Sequence, residues 1–377
     1  MIVAITGERE AGEKQASPAS AEPCARNGRG HLAGAGVEVV DPTRRRDWDS
    51  IVSRYGGSAF YHGSGWARVL AETYRHRPIY LCRMNSGQIQ VVLPVMEVSS
   101  FWTGRRGVSL PFTDYCQPLP DGSSYCGLYE EAAKQGRERG WRYLESRGNR
   151  PEWPGCSPAV GFWGHVIELD RSLGVMFKHL DGGVRRAIRK AQGANLRVEF
   201  SGSVESVQAF YALHCQTRHR HGIPPQPVQF FENIARFVLG PGGGFVATAR
   251  LGRQPVAAAV FFDFGREAVF KFGASDYGSQ HLRPNDLLMW ECIGRCAQQG
   301  CERLHLGRTS LGNEGLRRFK LGFGAREERI EYYRHDLRRG EFVAGADRAE
   351  SWMNAVFGRL PLPVLRLAGR ILYPHLS

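Results

Sequence analysis

The sequence predicts a mixed α/β fold made of two similar halves, followed by a short helical C-terminal segment. In both halves, apolar stretches typical of strands form a hairpin that is followed by a further strand, a helix and another strand. The segments "ERGWRYLESRG" (138–148) and "QQGCERLHLGR" (298–308) each contain a helix end, a glycine stop and a strand. Chance similarity is the alternative, because this order of elements is common in α/β proteins.

The first half begins near Val37, where "VEVVD" is typical of a short strand. We expect helices over 44–54 and 65–75. Strands are predicted at "PIYLCRM" and "QIQVVLPVMEV", because the Asn85-Ser86-Gly87 segment between them is a hairpin turn signal. After a long loop, "LPFTDYCQPLP", we expect a helix over about 124–139 and then the strand "WRYLES".

The second half repeats this order with strands at "GGFVATARL", "QPVAAAVFFDF" and "EAVFKFGAS", a helix from about Pro284 to Gln299, and the strand "ERLHLG". This order is that of the acetyltransferase-like (GNAT) topology, which has a mixed sheet with helices on both faces. We therefore expect two tandem GNAT-like domains, over 37–165 and 166–340. Residues 1–36 are predicted to be a disordered tail, with a start codon placed too early as the alternative, and residues 341–377 a helical tail.

The composition favours an anionic partner and no metal. The formal net charge is +13 with a pI near 9.5, which suits phosphates, acidic sugars, nucleic acid or a membrane surface. An arginine-rich proteome is the alternative. The nine cysteines include no C-x-x-C pair, and the closest cluster is Cys292, Cys296 and Cys301. Buried free thiols in a reducing compartment explain them better than a metal site.

The sequence shows neither a secretory signal nor a membrane-spanning segment. The first 36 residues contain no apolar core of a secretory signal, and no apolar run reaches the ~18 residues that a membrane span needs. The sequence thus predicts a cytoplasmic protein without a transmembrane segment.

A basic helix is predicted at the junction of the halves, within "GGVRRAIRKAQG". Apolar residues recur there at helical spacing, and the opposite face carries Arg185, Arg186, Arg189 and Lys190 without an acidic neighbour. Such a face suits a phosphate-bearing ligand. A solvated face is the alternative.

A second short helix is predicted in "GNEGLRRFKLGFGA". Leu316, Phe319 and Phe323 form its apolar stripe, Lys320 lies at the border of that stripe, and Arg318 points nearly the opposite way. We expect Lys320 to bury its stem and to present its ammonium at the edge of a cleft. Simple snorkelling to solvent is the alternative.

Two loops carry further candidates. Asp114 and Tyr115 follow the first hairpin, where the carboxylate could accept a proton from an amine or could be an ordinary turn residue. His219 and His221 stand at the end of a predicted helix, where they could polarise a substrate or cap the helix. Their i, i+2 spacing does not suit a metal.

One expected motif is absent. A GNAT protein that uses coenzyme A has a glycine-rich turn before the helix that follows its third strand, and the backbone N–H groups of that turn hold the pyrophosphate. Here the place reads "ASDYGSQHLRPNDLLMW". Coenzyme A is therefore a less favoured donor.

Seven segments of the chain carry a family resemblance. In chain order they are "RRAIRKA", "FYALHCQTRHRHGIPPQPVQFFENI", "PVAAAVFF", "KFGASD", "LRPNDLLMWECI", "HLGRTS" and "LRRFKLGFGA". Together they resemble the FemAB-like acyltransferases, and in particular the branch associated with exosortase and exopolysaccharide systems. The resemblance is specific over about 166–335, weaker over 37–165, and does not reach the first 36 residues.

The resemblance implies transfer of an amino acid from aminoacyl-tRNA to an amine of a peptidoglycan precursor, which is phosphate-bearing and in some cases lipid-linked. The family's phenylalanine-lysine pair matches Phe319 and Lys320, and its basic junction segment matches Arg185, Arg189 and Lys190. The long coiled-coil insertion of some tRNA-binding members is missing here. Both aminoacyl-tRNA and acyl-CoA therefore remain candidate co-substrates, and no bound cofactor is predicted.

Together these points predict direct attack of an acceptor amine on an activated carbonyl in a cleft between the halves. Lys320 and backbone N–H groups near 272–275 would stabilise the oxyanion, and Asp114 or a substrate phosphate would take the amine proton. Candidate substrate contacts are Arg185, Arg189, Lys190, Phe319, Arg318, His221 and Tyr115. A catalytically inactive glycan-binding module is the main alternative; a nucleic-acid binder is disfavoured by the lack of interleaved aromatic residues.

The C-terminal segment "LPLPVLRLAGRILYPHLS" combines apolar residues with Arg366 and Arg370, and Arg359 precedes it. It is too short to cross a bilayer. We expect an amphipathic helix that either lies on an acidic membrane surface or packs on the second domain.

Overall fold

The computed structural model describes residues 36–376 except 121, 123, 124, 149, 152, 154, 171 and 346–351. The predicted disordered tail therefore lies almost entirely outside the described residues. The strands are β1 Val37–Val40, β2 Arg77–Pro78, β3 Tyr80–Asn85, β4 Gln88–Leu93, β5 Met96–Ser100, β6 Gly104–Val108, β7 Trp141–Arg147, β8 Val160–Glu168, β9 Leu196–Ser201, β10 Gly244–Leu251, β11 Gln254–Phe264, β12 Glu267–Ser275, β13 Arg303–Ser310, β14 Arg326–Asp336 and β15 Glu341–Phe342.

The α-helices occupy both faces of the strands. They are α1 Trp48–Val52, α2 Ser64–Tyr74, α3 Cys126–Glu138, α4 Leu173–His179, α5 Gly182–Gly193, α6 Val204–Arg220, α7 Val228–Ile234, α8 Pro284–Gln298, α9 Glu314–Gly322, α10 Trp352–Phe357 and α11 Leu362–Leu372. Helix α7 continues into a π-helical turn, Ala235–Leu239.

One large mixed sheet contains strands from both halves of the chain. Its order is β2-β5-β6-β7-β14-β8-β13-β12-β11-β10-β9, with β15 paired to β14. Strand β14, from late in the chain, lies between β7 and β8, so the halves interlock through their hydrogen-bond ladders. Of the described strand pairs, β6/β7 and β12/β13 are parallel, and each is joined through a helix, as parallel strands require.

The mixed α/β fold class is confirmed, and most predicted elements are present with altered bounds. The stretch predicted as one strand, "QIQVVLPVMEV", is two strands, because Pro94 interrupts the ladder between β4 and β5. Strand β4 pairs with β3 in a separate three-stranded sheet, β1-β3-β4, whereas β5 belongs to the large sheet. The first predicted helix is shorter than expected and begins at Trp48.

The predicted division at residues 165/166 falls inside β8. Because β8 pairs with β13 and β14, both from the second half, the hydrogen-bond ladder is continuous there. The division into 37–165 and 166–340 stays a prediction about how the chain is organised.

The described part of the C-terminal tail is helical, and α11 packs on the body of the protein. Leu365 and Gly369 are buried, Tyr373 is buried in the core, and the Tyr373 hydroxyl donates to the carbonyl of Pro224 at 3.2 Å. The guanidinium of Arg366 lies 5.3 Å from the ring centre of Tyr211. Among the described helices, none has both the length and the apolar character that crossing a bilayer requires.

Candidate functional site

The candidate site lies where β12 and β13 diverge. These parallel strands pair over only three positions, from Glu267↔Arg303 to Val269↔His305. Beyond them β13 shifts register against β8, between His305 and Arg308. The opening contains a cavity of about 10 Å³, roughly enough for one water molecule. The cavity is lined by Asp114, Phe270, Lys271, Leu306, Gly307, Arg308 and Lys320.

Asp114 enters this opening from the loop between β6 and α3. Its Oδ2 accepts hydrogen bonds from Lys271 Nζ at 3.0 Å and from the Tyr61 hydroxyl at 3.1 Å. Its backbone carbonyl accepts one from the Tyr332 hydroxyl at 2.7 Å. A carboxylate that is 5% exposed is thus held by groups from both halves of the chain.

Asp114 remains ionised because of these neighbours. Burial alone would raise the pKa of its carboxyl group, but the Lys271 ammonium and the Arg308 guanidinium outweigh burial and hold the pKa well below its usual range. The pKa of Lys271 is lowered by burial, which the attraction of Asp114 only partly offsets. Asp114 and Lys271 form a buried ion pair.

Gly307 allows the close approach of the carboxylate. Its φ is +72°, and a Cβ at this position would lie 3.1 Å from Asp114 Oδ2. Any other residue would be strained in this left-handed conformation and would also crowd the carboxylate. The glycine therefore permits both the turn in β13 and the placement of Asp114.

Lys320 projects from α9 into the same opening. Its side chain is 1% exposed, and its Nζ donates to the carbonyls of Gly307 at 2.9 Å and Arg308 at 3.1 Å. Burial lowers the pKa of Lys320 to about 7, with Lys271 and Arg308 adding repulsion and Asp114 opposing them. The expectation of an ammonium at an edge is corrected: the carbonyls of β13 draw it into the interior.

The opening therefore holds three cationic side chains and one carboxylate. Arg308 completes the set, with its guanidinium carbon 4.1 Å from the ring centre of Phe162 and 5.1 Å from that of Tyr332. An anion or a developing oxyanion would be stabilised here, since positive charge exceeds negative charge in a buried setting.

The basic helix α5 adjoins α9. The carbonyl of Gly322, the last residue of α9, accepts from the N–H of Asp181 at 2.9 Å, and Asp181 caps α5. Ile188 and Ala191 are buried on the inner face of α5, as the spacing predicts. On the outer face, Arg186, Arg189 and Lys190 are exposed and Arg185 is half-buried.

These cations are not neutralised within the described structure. None of the four takes part in an ion pair there. The Arg189 guanidinium lies 5.7 Å from the ring centre of Phe177, and the Nε of Arg185 is buried without a hydrogen-bond partner. The face is therefore open to an external anion.

The remaining predicted residues lie outside the cavity. Phe319 is half-buried with its ring 5.1 Å from that of Phe323, and Arg318 is exposed. Tyr115 is buried against Tyr61 and His305. His221 is the C-cap residue of α6, as the alternative interpretation proposed, and burial and neighbouring arginines lower its pKa to about 4.

Several residues that line the cavity or contact Asp114 were not predicted from the sequence, among them Lys271, Arg308, Tyr61 and Tyr332. Lys271 did carry a signal, because it is the one charged residue inside the apolar stretch "AVFKFGAS". A charge at such a position must find a partner when the strand is buried. Arg308 lies in "HLGRTS", one of the segments that carry the family resemblance, but that resemblance assigned it no role, and nothing in the local sequence distinguishes Tyr61.

A larger cavity of about 140 Å³ lies elsewhere, beside α8. Leu173, Phe200, Trp290 and Arg295 are among its lining residues. It shares no lining residue with the opening between β12 and β13. The smaller opening is the better candidate because it concentrates the buried ionisable groups.

Comparisons with known proteins agree with this fold. Residues 180–327 match the family model described as acetyltransferase (GNAT) domain. The structure of FemX superposes with a TM-score of 0.63 at 11% identity, covering 78% of this chain and 96% of FemX. No curated protein sequence matches the chain.

Two further solved structures share the architecture. The C-terminal domain of a putative lysylphosphatidylglycerol synthetase from Agrobacterium fabrum has a TM-score of 0.52 at 14% identity, covering 82% of this chain and 94% of that one. L-PGS from Bacillus licheniformis has a TM-score of 0.52 at 12% identity, covering 89% and 98%. Residues 180–327 are therefore similar to a GNAT domain, and over 78% of its length the chain has the fold of FemX, as the resemblance to the FemAB-like acyltransferases implies.

Proposed function

We propose that this protein is an acyltransferase that moves an aminoacyl or acyl group from an activated donor to an amine of a phosphate-bearing acceptor. The reaction is direct attack at the opening between β12 and β13. The acceptor belongs to the cell envelope or to exopolysaccharide assembly, in line with the family resemblance. The protein acts at the cytoplasmic face of the membrane.

The observation that carries this proposal is the buried Lys320 ammonium. It is placed inside the opening of a GNAT domain by two backbone carbonyls, at 2.9 and 3.1 Å. Burying a lysine is costly, and two hydrogen bonds to neutral carbonyls only partly compensate. A functional role explains why the chain retains it.

In the proposed step the acceptor nitrogen attacks the donor carbonyl, forming a C–N bond. The carbonyl oxygen becomes an oxyanion, which Lys320 stabilises, and the C–O or C–S bond to the donor then breaks. The leaving oxygen or sulfur must be protonated, and we assign this proton to the ammonium of Lys320, whose pKa is lowered to about 7. Holding the two substrates together supplies much of the rate.

Asp114 is better suited to positioning than to proton transfer. Its carboxylate is bound by Lys271 and Tyr61, and its pKa is held well below the usual range, so it is a weak base at neutral pH. We assign to it the orientation of Lys271 and the local balance of charge. The amine proton then passes to a phosphate oxygen of a substrate, which was the other predicted acceptor.

The start of α8 supports a donor that is not bound through a pyrophosphate. Asp276 accepts from the N–H of Gly278 at 3.2 Å and from the hydroxyl of Ser279 at 2.6 Å, so its carboxylate occupies this turn. Asp286 adds a second acid in the first turn of the helix. A carboxyl group in the first turn of the helix, and a second one in the turn that precedes the helix in the chain, oppose a pyrophosphate there. This favours aminoacyl-tRNA over acyl-CoA.

The outer face of α5 is the proposed phosphate contact. Arg185, Arg189 and Lys190 are free of internal ion pairs and lie on the helix that adjoins α9 through Asp181. Phe319 and Arg318, which directly precede Lys320 on α9, are proposed to contact the substrate. Roles for Tyr115 and His221 remain predictions.

The proposal is tested by incubating the full chain with a cytosolic extract of acceptors and either a total aminoacyl-tRNA pool or an acyl-CoA pool. Mass spectrometry of the acceptors identifies the added group. We expect one mass increment with the wild type and none with Lys320→Met. The matched control is Lys134→Met, an exposed lysine of α3 that lies outside the opening.

A different pattern would overturn the proposal. If Lys320→Met transferred as well as the wild type, Lys320 would have no part in the reaction. If the wild type bound an acceptor but added no group from either pool, the inactive glycan-binding module would be the better description.

A further inference from the structure

The surface around α11 is apolar on its outer side. Val364, Leu367 and Ile371 recur at helical spacing and are 46%, 55% and 49% exposed. They point away from the buried Leu365 and Gly369. A helix that packs on a protein core normally exposes polar residues on its outer face. This helix is apolar on both sides, with arginines along one flank.

The turn between β5 and β6 extends this surface. Phe101 is 78% exposed and Trp102 is 52% exposed, although both are large and apolar. Their ring centres lie 4.7 Å and 4.5 Å from that of His375, which follows α11. Phe101, Trp102, Val364, Leu367 and Ile371 together are named here the C-terminal apolar surface.

The turn and the C-terminus are held together by Arg106. Its guanidinium donates to the carbonyl of His375 at 2.7 Å and to the Thr103 hydroxyl at 2.7 Å. Arg106 is 3% exposed, so this link is part of the folded interior. The two exposed segments, 269 residues apart in the chain, are therefore parts of one rigid surface.

Positive charges border the surface. Arg366 and Arg370 lie on the flank of α11, and both are exposed. Arg105 and Arg142 flank the turn, where Arg142 donates to the carbonyl of Thr103 at 3.2 Å. None of these four arginines makes an ion pair among the described residues.

We infer that the C-terminal apolar surface binds the surface of an anionic lipid bilayer. Tryptophan and phenylalanine beside an amphipathic helix suit the boundary between headgroups and acyl chains. The bordering arginines suit anionic headgroups, and the net charge of +13 adds long-range attraction. A protein partner would need an apolar patch with an acidic rim around it. An anionic bilayer offers negative headgroups to the arginines and an apolar interior to the apolar side chains. The inference does not depend on the group that is transferred.

The test is flotation of the full chain with vesicles of phosphatidylglycerol and phosphatidylcholine at equal amounts, and with vesicles of phosphatidylcholine alone. We expect binding to the anionic vesicles that weakens as salt is raised. Each of the double variants Phe101→Ser/Trp102→Ser and Leu367→Ser/Ile371→Ser should weaken binding about tenfold or more. The matched control is Val204→Ser/Leu251→Ser, which removes two exposed apolar residues elsewhere.

The charge is tested separately by Arg105→Gln/Arg370→Gln. This variant should lose affinity for anionic vesicles and keep its thermal unfolding temperature, because no ion pair is removed. Equal binding of the wild type and both serine variants would overturn the inference. So would a dimer, seen by analytical ultracentrifugation, that dissociates in Leu367→Ser/Ile371→Ser without any vesicle binding in the wild type.

Discussion

The large sheet has two parallel strand pairs, β6/β7 in the first half and β12/β13 in the second, and the strands of each pair separate after a few paired residues. We call these two places the first and the second junction. The charged side chains at the two junctions are paired differently. In the first half, beyond β6/β7, the Arg147 guanidinium donates to Glu145 Oε1 at 2.8 and 2.9 Å. Arg334 donates to the other oxygen of Glu145 at 2.7 Å. In the second half, beyond β12/β13, Asp114 is paired with Lys271 while Lys320 has only backbone acceptors.

The difference suggests a structural role for the charged residues of the first junction and a functional role for those of the second. In the first half, the guanidiniums of Arg147 and Arg334 both contact the carboxylate of Glu145, which is the arrangement expected of a structural contact. In the second half, one ammonium has no carboxylate of its own, and its pKa is lowered to about 7. A buried charge with incomplete compensation is typical of functional sites.

The first junction also supports the second. Arg147 lies 3.4 and 3.5 Å from the carbonyls of Leu110 and Thr113, in the loop that carries Asp114. Leu110 and Phe112 have positive φ angles of 54° and 60°, so the loop is locally strained. The structural junction thus fixes the loop that delivers a carboxylate to the candidate site.

The largest expected effect on stability is that of Arg147→Met. Removing this guanidinium leaves Glu145 buried with Arg334 alone, and breaking a buried ion pair costs about 3–5 kcal/mol. Urea unfolding measures the loss. The double variant Glu145→Gln/Arg147→Met should recover part of it, because no uncompensated carboxylate remains. A loss below about 1 kcal/mol would show that the first junction is not a structural contact.

Lys320→Met should have the opposite signature. We expect kcat to fall about 10²–10³-fold, the range for removing one oxyanion donor. Folding should be unimpaired, because a buried ammonium is replaced by an apolar chain of similar length. The assay is the rate of transfer identified by mass spectrometry, with Lys134→Met as the control. If Lys320→Met lowered the stability and left kcat unchanged, the second junction would have a structural role like the first.

The same variant gives a prediction about pH. The folded-state pKa of Lys320 is about 7, against 10.5 ordinarily, so the unfolded state binds more protons between these values. The stability contributed by this site therefore rises as pH increases from about 7 towards 10.5. The stability of Lys320→Met relative to the wild type should therefore be greatest near pH 7 and should decrease towards pH 9.5. A constant difference in urea unfolding across this range would contradict the low pKa.

Much of this comparison could be anticipated from the sequence. Strand periodicity and glycine stops located β10 to β13 and α8, and the same signals located most of the first half. Helical spacing placed Lys320 beside an apolar stripe, and the long stretch after the first hairpin placed Asp114 in a loop. These are local patterns, within reach of rules about consecutive residues.

The rest depends on contacts between distant residues. Lys271 and Asp114 are 157 positions apart, and no local pattern joins them. The insertion of β14 between β7 and β8 is likewise a long-range pairing, and it carries Tyr332 to the backbone of Asp114. The Lys320 ammonium is buried because it donates to the carbonyls of Gly307 and Arg308. These carbonyls are available to it because β13 turns away from β12.

Gly307→Ala sharpens the comparison with a smaller effect. The new Cβ would lie 3.1 Å from Asp114 Oδ2 at a φ of +72°, so strain and crowding should cost about 1–2 kcal/mol. Gly265→Ala is the matched control, because its φ is +64° and no atom lies within 4 Å of its Cβ. Transfer should fall for Gly307→Ala and stay unchanged for Gly265→Ala. If both variants changed the transfer rate equally, the position of Asp114 would not matter for the reaction.

The smallest expected effect on stability belongs to the face of α5. Arg185→Gln/Arg189→Gln removes no ion pair among the described residues, so the free energy of unfolding should change by less than about 0.5 kcal/mol. If this face holds an acceptor phosphate, KM for the acceptor should rise about 3–10-fold with kcat unchanged, and added salt should reduce the difference. Arg253→Gln, in the exposed turn between β10 and β11, is the control. An unchanged KM would leave the α5 cations as a solvated face and would confine the site to the opening between β12 and β13.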